Sequence, residues 1–341
     1  MLDIATTATG WAVAIKRALQ EYGVDGDQIL IASGIDPQQS LDPNGRLPVT
    51  ISSNLTRLAT DASGDPAFGL SIGKMMRPTS WHALGFSVWA SSTLREAFER
   101  MVRYFKIFTT CGSLELIEDD QHLTLRAKVL PAYQPILHYE EYEAFAALVV
   151  LTARHLMPEQ WNPVEVGLPR PAAEIDTTPF ERLFRCPVRF GQQELYIVMD
   201  LQEIDAPLPT ANPELARTND QVCAEYIARF DRSDIVAQVY YRLMLELPQG
   251  EPPMEQIAES LHISLRTLQR KLSDQGTSYK RLLDELRHDL ALQYIQQRHL
   301  NISEISYMLG FSQVSSFSRV FKRWTGLPPA DYRDRGPNGE E

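Results

Sequence analysis

The sequence predicts two folds in one chain: an α+β domain over residues 1–205 and an all-α domain over residues 233–335 with two helix-turn-helix motifs joined by a linking helix. Three observations carry that division. Helical periodicity and strand alternation are mixed before residue 200; three prolines crowd positions 207–213; and from Ser233 onward the apolar spacing is helical almost throughout. The 341 residues, 44% hydrophobic and 23% charged, suit a globular chain of about two domains and exclude fibrous or wholly disordered alternatives.

In the first domain, helical spacing predicts helices over Trp11–Tyr22, Ile51–Ala62, Thr93–Phe108 and Tyr139–Leu156, the last two packing on a sheet. Alternation over Ser113–Val129 reads as two strands around the acidic turn Glu118-Asp119-Asp120, with further strands at Val164–Gly167, Val188–Phe190 and Glu194–Met199. The proline-rich stretch reads as a semi-rigid connector, and a helix from Pro213 to about Phe230 suits an interdomain arm or a dimer contact, so residues 206–232 form the linker. A disordered tail is expected at 336–341.

The longest apolar stretch, Ala144–Thr152, reaches about half of the roughly 20 residues needed to cross a bilayer, and the N-terminus lacks a basic segment before an apolar core. No membrane partner or secretory leader is expected. Cys111, Cys186 and Cys223 are too widely spaced for a disulfide scaffold or a paired metal site, which points to a reducing cytoplasm. The formal charge of −11 argues at first against nucleic acid as a partner. Charge is uneven, however: Glu255–Arg335 holds twelve Lys and Arg against nine Asp and Glu, a net +3, which leaves −14 for the rest.

Two segments of that basic end carry chemistry. In residues 254–275, Met254, Ile257, Ala258 and Leu261 form one helical stripe, His262-Ile263 a turn, and Ser264 the cap of a second helix. Leu265, Leu268 and Leu272 face inward there, leaving Arg266, Gln269, Arg270 and Ser273 outside. Arg and Gln match the paired donors and acceptors of base edges in a major groove. In residues 302–325, Ser303 is the expected cap of a helix burying Ile305, Met308 and Leu309, Gly310 makes the turn, and Val314, Phe317, Phe321 and Trp324 form the next stripe. Outside lie Ser315, Ser316, Arg319, Lys322 and Arg323. Residues 311–324 hold three basic side chains and no acidic one, the bias expected of a helix set against phosphates. Between the units, Ser278–Gln297 reads as a linking helix of roughly 30 Å, close to the roughly 34 Å turn of duplex DNA, so one chain is fitted to read a bipartite site.

The C-terminal segment Ser233–Arg333 resembles the AraC/XylS transcriptional regulators. The resemblance rests on Leu268-Gln269-Arg270, on the Gly276-Thr277-Ser278 break, and above all on Gly310-Phe311, Phe317–Lys322 and Gly326–Arg333. It implies base contacts by Arg266, Gln269 and Arg270 in the first unit and by Ser315, Ser316 and Arg319 in the second. Lys280, Lys322 and Arg323 are the expected phosphate contacts. Two positions depart from the pattern: His262 stands where the family usually has Gly, and Leu272 replaces a Phe; packing adjustments alone are expected from either. The N-terminal half is similar to the non-cupin effector-binding and dimerising domain of one subgroup of these regulators, through Leu84-Gly85-Phe86, Thr93–Ala97, Arg103-Tyr104 and Phe184–Gly191. As a family the resemblance implies promoter DNA, RNA polymerase, a small-molecule effector and a homodimer as partners, and activation rather than repression.

The alternatives are blander or chemically different. An Arg, Gln, Arg ridge on an arbitrary helix is a solvated face; two such units at matched spacing favour DNA. Trp81, His82, Trp89 and His138 are the candidates for an effector pocket, yet such side chains, like Tyr133 and Tyr139, read first as core. His138 with Glu140, Glu141 and Glu143 reads as a solvated face rather than a metal site, and neither metal nor cofactor is expected. Enzyme signatures fail: Gly73-Lys74 lacks the rest of a phosphate loop, and Gly85–Trp89 ends in Trp where a nucleophile elbow needs Gly. A DNA-repair methyltransferase fused to such a module needs four clustered Cys. The reading is therefore a non-enzymatic, effector-responsive activator of transcription, with a repressor or an architectural DNA-binding protein of the same fold as the alternatives.

Overall fold

A computed structural model describes residues 5–158, 160–230, 235–295, 297 and 300–335. The chain divides into two compact units, Met1–Cys223 and Ala224–Glu341. The expected tail 336–341 and the junction 231–234 lie outside the described residues.

The first unit is α+β. A small antiparallel pair, β1 (Thr6–Ala8) and β2 (Arg46–Pro48), brackets α1 (Gly10–Glu21) and α2 (Gly26–Ala32), and α3 (Val49–Ser63) and α4 (Phe68–Met75) follow. Next come α5 (Ala83–Trp89), α6 (Leu94–Arg103) and α7 (Phe105–Phe108). The principal sheet has the strands β3 (Gly112–Glu118), β4 (His122–Val129), β5 (Glu165–Gly167), β6 (Val188–Arg189) and β7 (Leu195–Asp200), in the spatial order β3-β4-β7-β5-β6. All pairings are antiparallel except β5 with β6. Alternation places Leu123, Leu125, Leu195, Ile197 and Met199 on the buried face. The helices α8 (Tyr139–Leu156), α9 (Thr178–Phe184) and α10 (Leu201–Ile204) complete the unit.

Helix α8 explains the longest apolar run in the sequence. Its residues 144–150 are buried throughout, because the helix packs against both strand β7 and α4. Gly69 and Gly73, one turn apart on α4, permit that contact: a Cβ on Gly69 would lie 2.5 Å from the Glu140 carbonyl, and one on Gly73 2.5 Å from Ala147 Cβ. The helix expected over Thr93–Phe108 is interrupted at Tyr104, where φ −110° and ψ 17° leave helical geometry. The break lets Phe105 and Phe108 both meet Phe145, with ring centroids 5.6 and 5.5 Å away.

The expected connector does not hang free. Leu208 N donates to Ser92 O at 2.8 Å and Asn212 N to Ala90 O at 2.9 Å. Helix α11 (Pro213–Phe230) then starts inside the first unit: Asp220, 5% exposed, accepts from Ser87 Oγ and from Arg100 Nε at 3.1 Å.

The second unit is all helix: α12 (Ile235–Glu246), α13 (Met254–Ser260), α14 (Leu265–Asp274), α15 (Tyr279–Ile295), α16 (Ile302–Met308), α17 (Val314–Thr325) and α18 (Pro329–Arg335). It has two cores. Val239, Leu243, Ile257, Leu268, Leu272, Leu283 and Leu286 make one; Ala291, Ile295, Ile305, Leu309, Phe317 and Phe321 make the other. Helix α15 serves both, with its first half in one core and its second half in the other.

Candidate nucleic-acid interface

Each core carries a helix-turn-helix. In the first, α13 ends in a turn where His262 N donates to Glu259 O at 2.9 Å and Ile263 N to Ala258 O at 3.1 Å. In the second, Gly310 N donates to Tyr307 O at 2.9 Å and Phe311 N to Ser306 O at 3.0 Å. This is one helix-ending motif built twice. It needs a left-handed residue, supplied by His262 at φ 56° and by Gly310 at φ 71°. Glycine is required at the second site for a further reason: a Cβ there would lie 2.8 Å from Leu247 Cδ1 and 3.0 Å from Glu251 N.

Ser264 caps α14 as expected, its Oγ accepting from Thr267 N at 3.2 Å. The cap of α16 differs from expectation. Asn301, not Ser303, takes the role: its Oδ1 accepts from Glu304 N at 2.9 Å while Glu304 Oε2 accepts from Asn301 N at 2.7 Å. Glu three residues after Asn closes a reciprocal capping box, which Ser303, followed three positions later by Ser306, has no carboxylate to complete. Leu272, in place of the family's Phe, is 1% exposed and packs with Leu268.

Arg266, Gln269 and Arg270 are all exposed on the outer face of α14. On α17, Ser315, Arg319, Lys322 and Arg323 are exposed and Ser316 is partly so; Lys280 is exposed at the start of α15. Among the described residues, the side chains of Arg266, Gln269, Arg270, Lys280, Ser315, Ser316, Arg319, Lys322 and Arg323 enter no hydrogen bond or ion pair. Six cations thus stand on helix faces without an internal counter-charge, which leaves their donors available to an external anion or base edge.

Arg287 is the positioning residue that the sequence pattern did not single out. It is 6% exposed, and its Nε donates to Leu309 O at 2.9 Å and Nη2 to Gly310 O at 3.0 Å. Its Nη2 also lies 2.9 Å from Glu251 Oε2, and its guanidinium sits 4.3 Å from the Phe311 ring centroid. One side chain on the shared helix therefore joins the entry to the first motif with the turn of the second. A sequence signal existed: Arg287 falls one turn after Leu283 and one turn before Ala291, on the buried stripe of α15, where an apolar residue is expected.

Two of the four effector candidates are brought together and two are not. Trp81 and Trp89 line a cavity of about 320 Å³ with Met76, Leu148, Leu151 and His155. His82 lies apart, its Nε2 2.9 Å from Asn44 Oδ1, with burial lowering its pKa. His138 is the residue before α8, its backbone N donating to Glu141 Oε2 at 2.9 Å.

The paired helix-turn-helix architecture places the chain among DNA-binding transcriptional regulators. The model of the N-terminal arabinose-binding domain of AraC transcription regulators matches residues 23–208, and a helix-turn-helix domain model matches residues 257–335. An ornithine utilization regulator of Pseudomonas aeruginosa is 32% identical over 325 residues, 95% of each chain. The transcriptional regulator VirS of Mycobacterium tuberculosis is 33% identical over 287 residues, 80% of this chain and 79% of its own. The crystal structure of the transcriptional regulator CdpR from Pseudomonas aeruginosa aligns over 93% of this chain and 97% of its own, with 23% identity and a TM-score of 0.48. The chain belongs to the AraC family of transcriptional regulators.

Proposed function

We propose that the protein is an effector-responsive activator that reads a bipartite promoter site through two major-groove recognition helices. Arg266, Gln269 and Arg270 read bases in one half-site and Ser315, Ser316 and Arg319 in the other, while Lys280, Lys322 and Arg323 hold phosphates. The observation that carries this reading is that Arg266 and Arg270 on α14, Lys280 at the start of α15, and Arg319, Lys322 and Arg323 on α17 are exposed and, among the described residues, have no internal partner. Helix α15, 17 residues and thus about 25 Å long, together with Arg287, supports a fixed register between the two recognition helices. In this reading residues 1–205 bind a small metabolite and form a homodimer in the cytoplasm, the linker 206–232, whose residues 206–223 pack into the first unit, joins the domains, and residues 233–335 dock DNA and present the complex to RNA polymerase. The relative named for ornithine utilization supports a metabolite as the effector.

Selection of random duplexes by the full-length protein tests the bipartite reading. Two conserved blocks with centres about 10 bp apart are expected; a single short block overturns it. A reporter fused to the selected site rises with the protein if it activates and falls if it represses.

A further inference from the structure

The N-terminal unit holds a second cavity, of about 70 Å³, that contains none of the four candidates above. Trp11, Phe105, Phe108 and Phe145 form its aromatic wall, with Trp11 and Phe108 centroids 5.7 Å apart and Phe108 and Phe145 5.5 Å apart. Its polar lining is nearly all committed. Thr7 and Thr109 hydroxyls bond each other at 3.2 Å, and Lys128 Nζ is held by Glu115 Oε2 at 2.7 Å.

Two groups remain. Glu141 Oε2 accepts from Ser53 Oγ at 2.8 Å and from His138 N at 2.9 Å, which satisfies its role as a cap of α8 with a single oxygen. Among the described residues, its Oε1 and the hydroxyl of Tyr142, which also lines the cavity, make no hydrogen bond. A carboxyl beside an aromatic wall is costly unless something pairs with it, and burial pushes this one up to about 7. A cap alone needs no such placement. The pairing group is a cation: an ammonium donates to Oε1 and to the Tyr142 oxygen while aromatic faces stabilise its charge and cover its apolar body. A carboxylate ligand is repelled by the ionised form of Glu141. An uncharged apolar ligand leaves Oε1 unpaired. At roughly 10–15 Å³ per water-sized group, the cavity takes about five to seven non-hydrogen atoms.

We infer that this cavity is a binding site for a small primary ammonium ion with a short apolar tail, and, resting on the reading of the N-terminal domain as the sensor, that it is the effector site. The probe is n-butylammonium, with n-butanol and butyrate as matched neutral and anionic controls. Calorimetry on the full-length, DNA-free protein is expected to show one butylammonium per chain and no binding of either control. Glu141→Gln keeps an oxygen for the cap and removes the charge, and is expected to weaken butylammonium at least tenfold. Equal binding of butanol, or wild-type affinity in Glu141→Gln, overturns the proposal. Should Glu141→Gln fail to fold, Ala127→Val, which narrows the cavity from its strand wall, is expected to abolish binding; unchanged affinity there places the ligand elsewhere and overturns the site. The DNA affinity of the butylammonium-loaded protein is a separate readout. If binding is Glu141-dependent but leaves DNA affinity unchanged, the site stands and the sensor reading fails.

Discussion

Arginine is used differently in the two units. In the N-terminal unit Arg100 pairs with Glu96 and Asp220, Arg170 with Glu140 and Glu143, and Arg154 donates to the carbonyls of Leu183 and Phe184. Arg100 and Arg170 are 6% and 7% exposed. Their charge is neutralised within the fold: Arg100 joins α6 to α11, and Arg170 joins the loop after β5 to α8. In the C-terminal unit, among the described residues, Arg287 alone of the buried arginines follows that pattern, while the outer cations of α14 and α17 enter no hydrogen bond or ion pair. A paired, buried guanidinium is architecture; an unpaired, exposed one keeps its donors available to another molecule.

Breaking one buried pair is the severest test of that contrast. Arg100→Ala removes the cation that donates to buried Asp220 and leaves it with the weaker field of Arg103, and about 3–5 kcal/mol of stability is expected to be lost. Urea unfolding of the full-length protein measures it. Replacing Arg100 and Asp220 together by Met and Leu is expected to recover most of the loss; a mild effect of Arg100→Ala would show that the pair does not pin α11.

Glu141 extends the same comparison to pH. Its carboxyl stands at about 7 in the fold, pushed up from the usual 4.5 by burial. Between those values the folded state holds a proton that the unfolded state has released, so its contribution falls as pH rises from about 4.5 to about 7. At 1.36 kcal/mol per pKa unit the difference is about 3 kcal/mol at most. Glu141→Gln is expected to make the pH dependence of stability across that window shallower, Glu143, whose carboxyl burial also pushes up to about 7, keeping part of it; an unchanged slope would show that the Glu141 carboxyl is well solvated.

On the C-terminal side, Arg270→Ala is expected to weaken specific DNA by about 1–3 kcal/mol and to relax preference at one base pair. Lys322→Ala is expected to weaken all duplexes alike and to reduce the salt slope by about 1. Competition binding on selected and random duplex separates the two; equal losses on both for Arg270→Ala would make it a phosphate contact. The smallest effect belongs to the two matched turns. His262→Gly relieves a left-handed side chain but loosens the unfolded chain, and a gain of about 0.5 kcal/mol is expected in thermal unfolding. A loss would mean that the imidazole contributes contacts that glycine cannot supply.

Both helix-turn-helix units were legible because their signals are local. The stripe Leu268 and Leu272, the Ser264 cap and the Gly310 turn are fixed by spacings of three to five residues, and the outward positions follow by elimination. Even there a competing local signal won at Asn301, where a reciprocal box outcompeted Ser303. The N-terminal strands were legible by alternation, but β1 and β2 were not, since three-residue strands offer too little pattern.

What the sequence by itself determined is therefore the order of domains, the nature of each and the outer faces of the recognition helices, because period and capping depend only on near neighbours. Tertiary structure decided the rest. The placing of β7 between β4 and β5, the docking of α11 by Asp220, the bridge made by Arg287 and the gathering of Trp11, Phe108, Glu141 and Phe145 around one cavity join residues up to 134 positions apart. Such contacts depend on how whole elements pack, and no spacing along the chain encodes them.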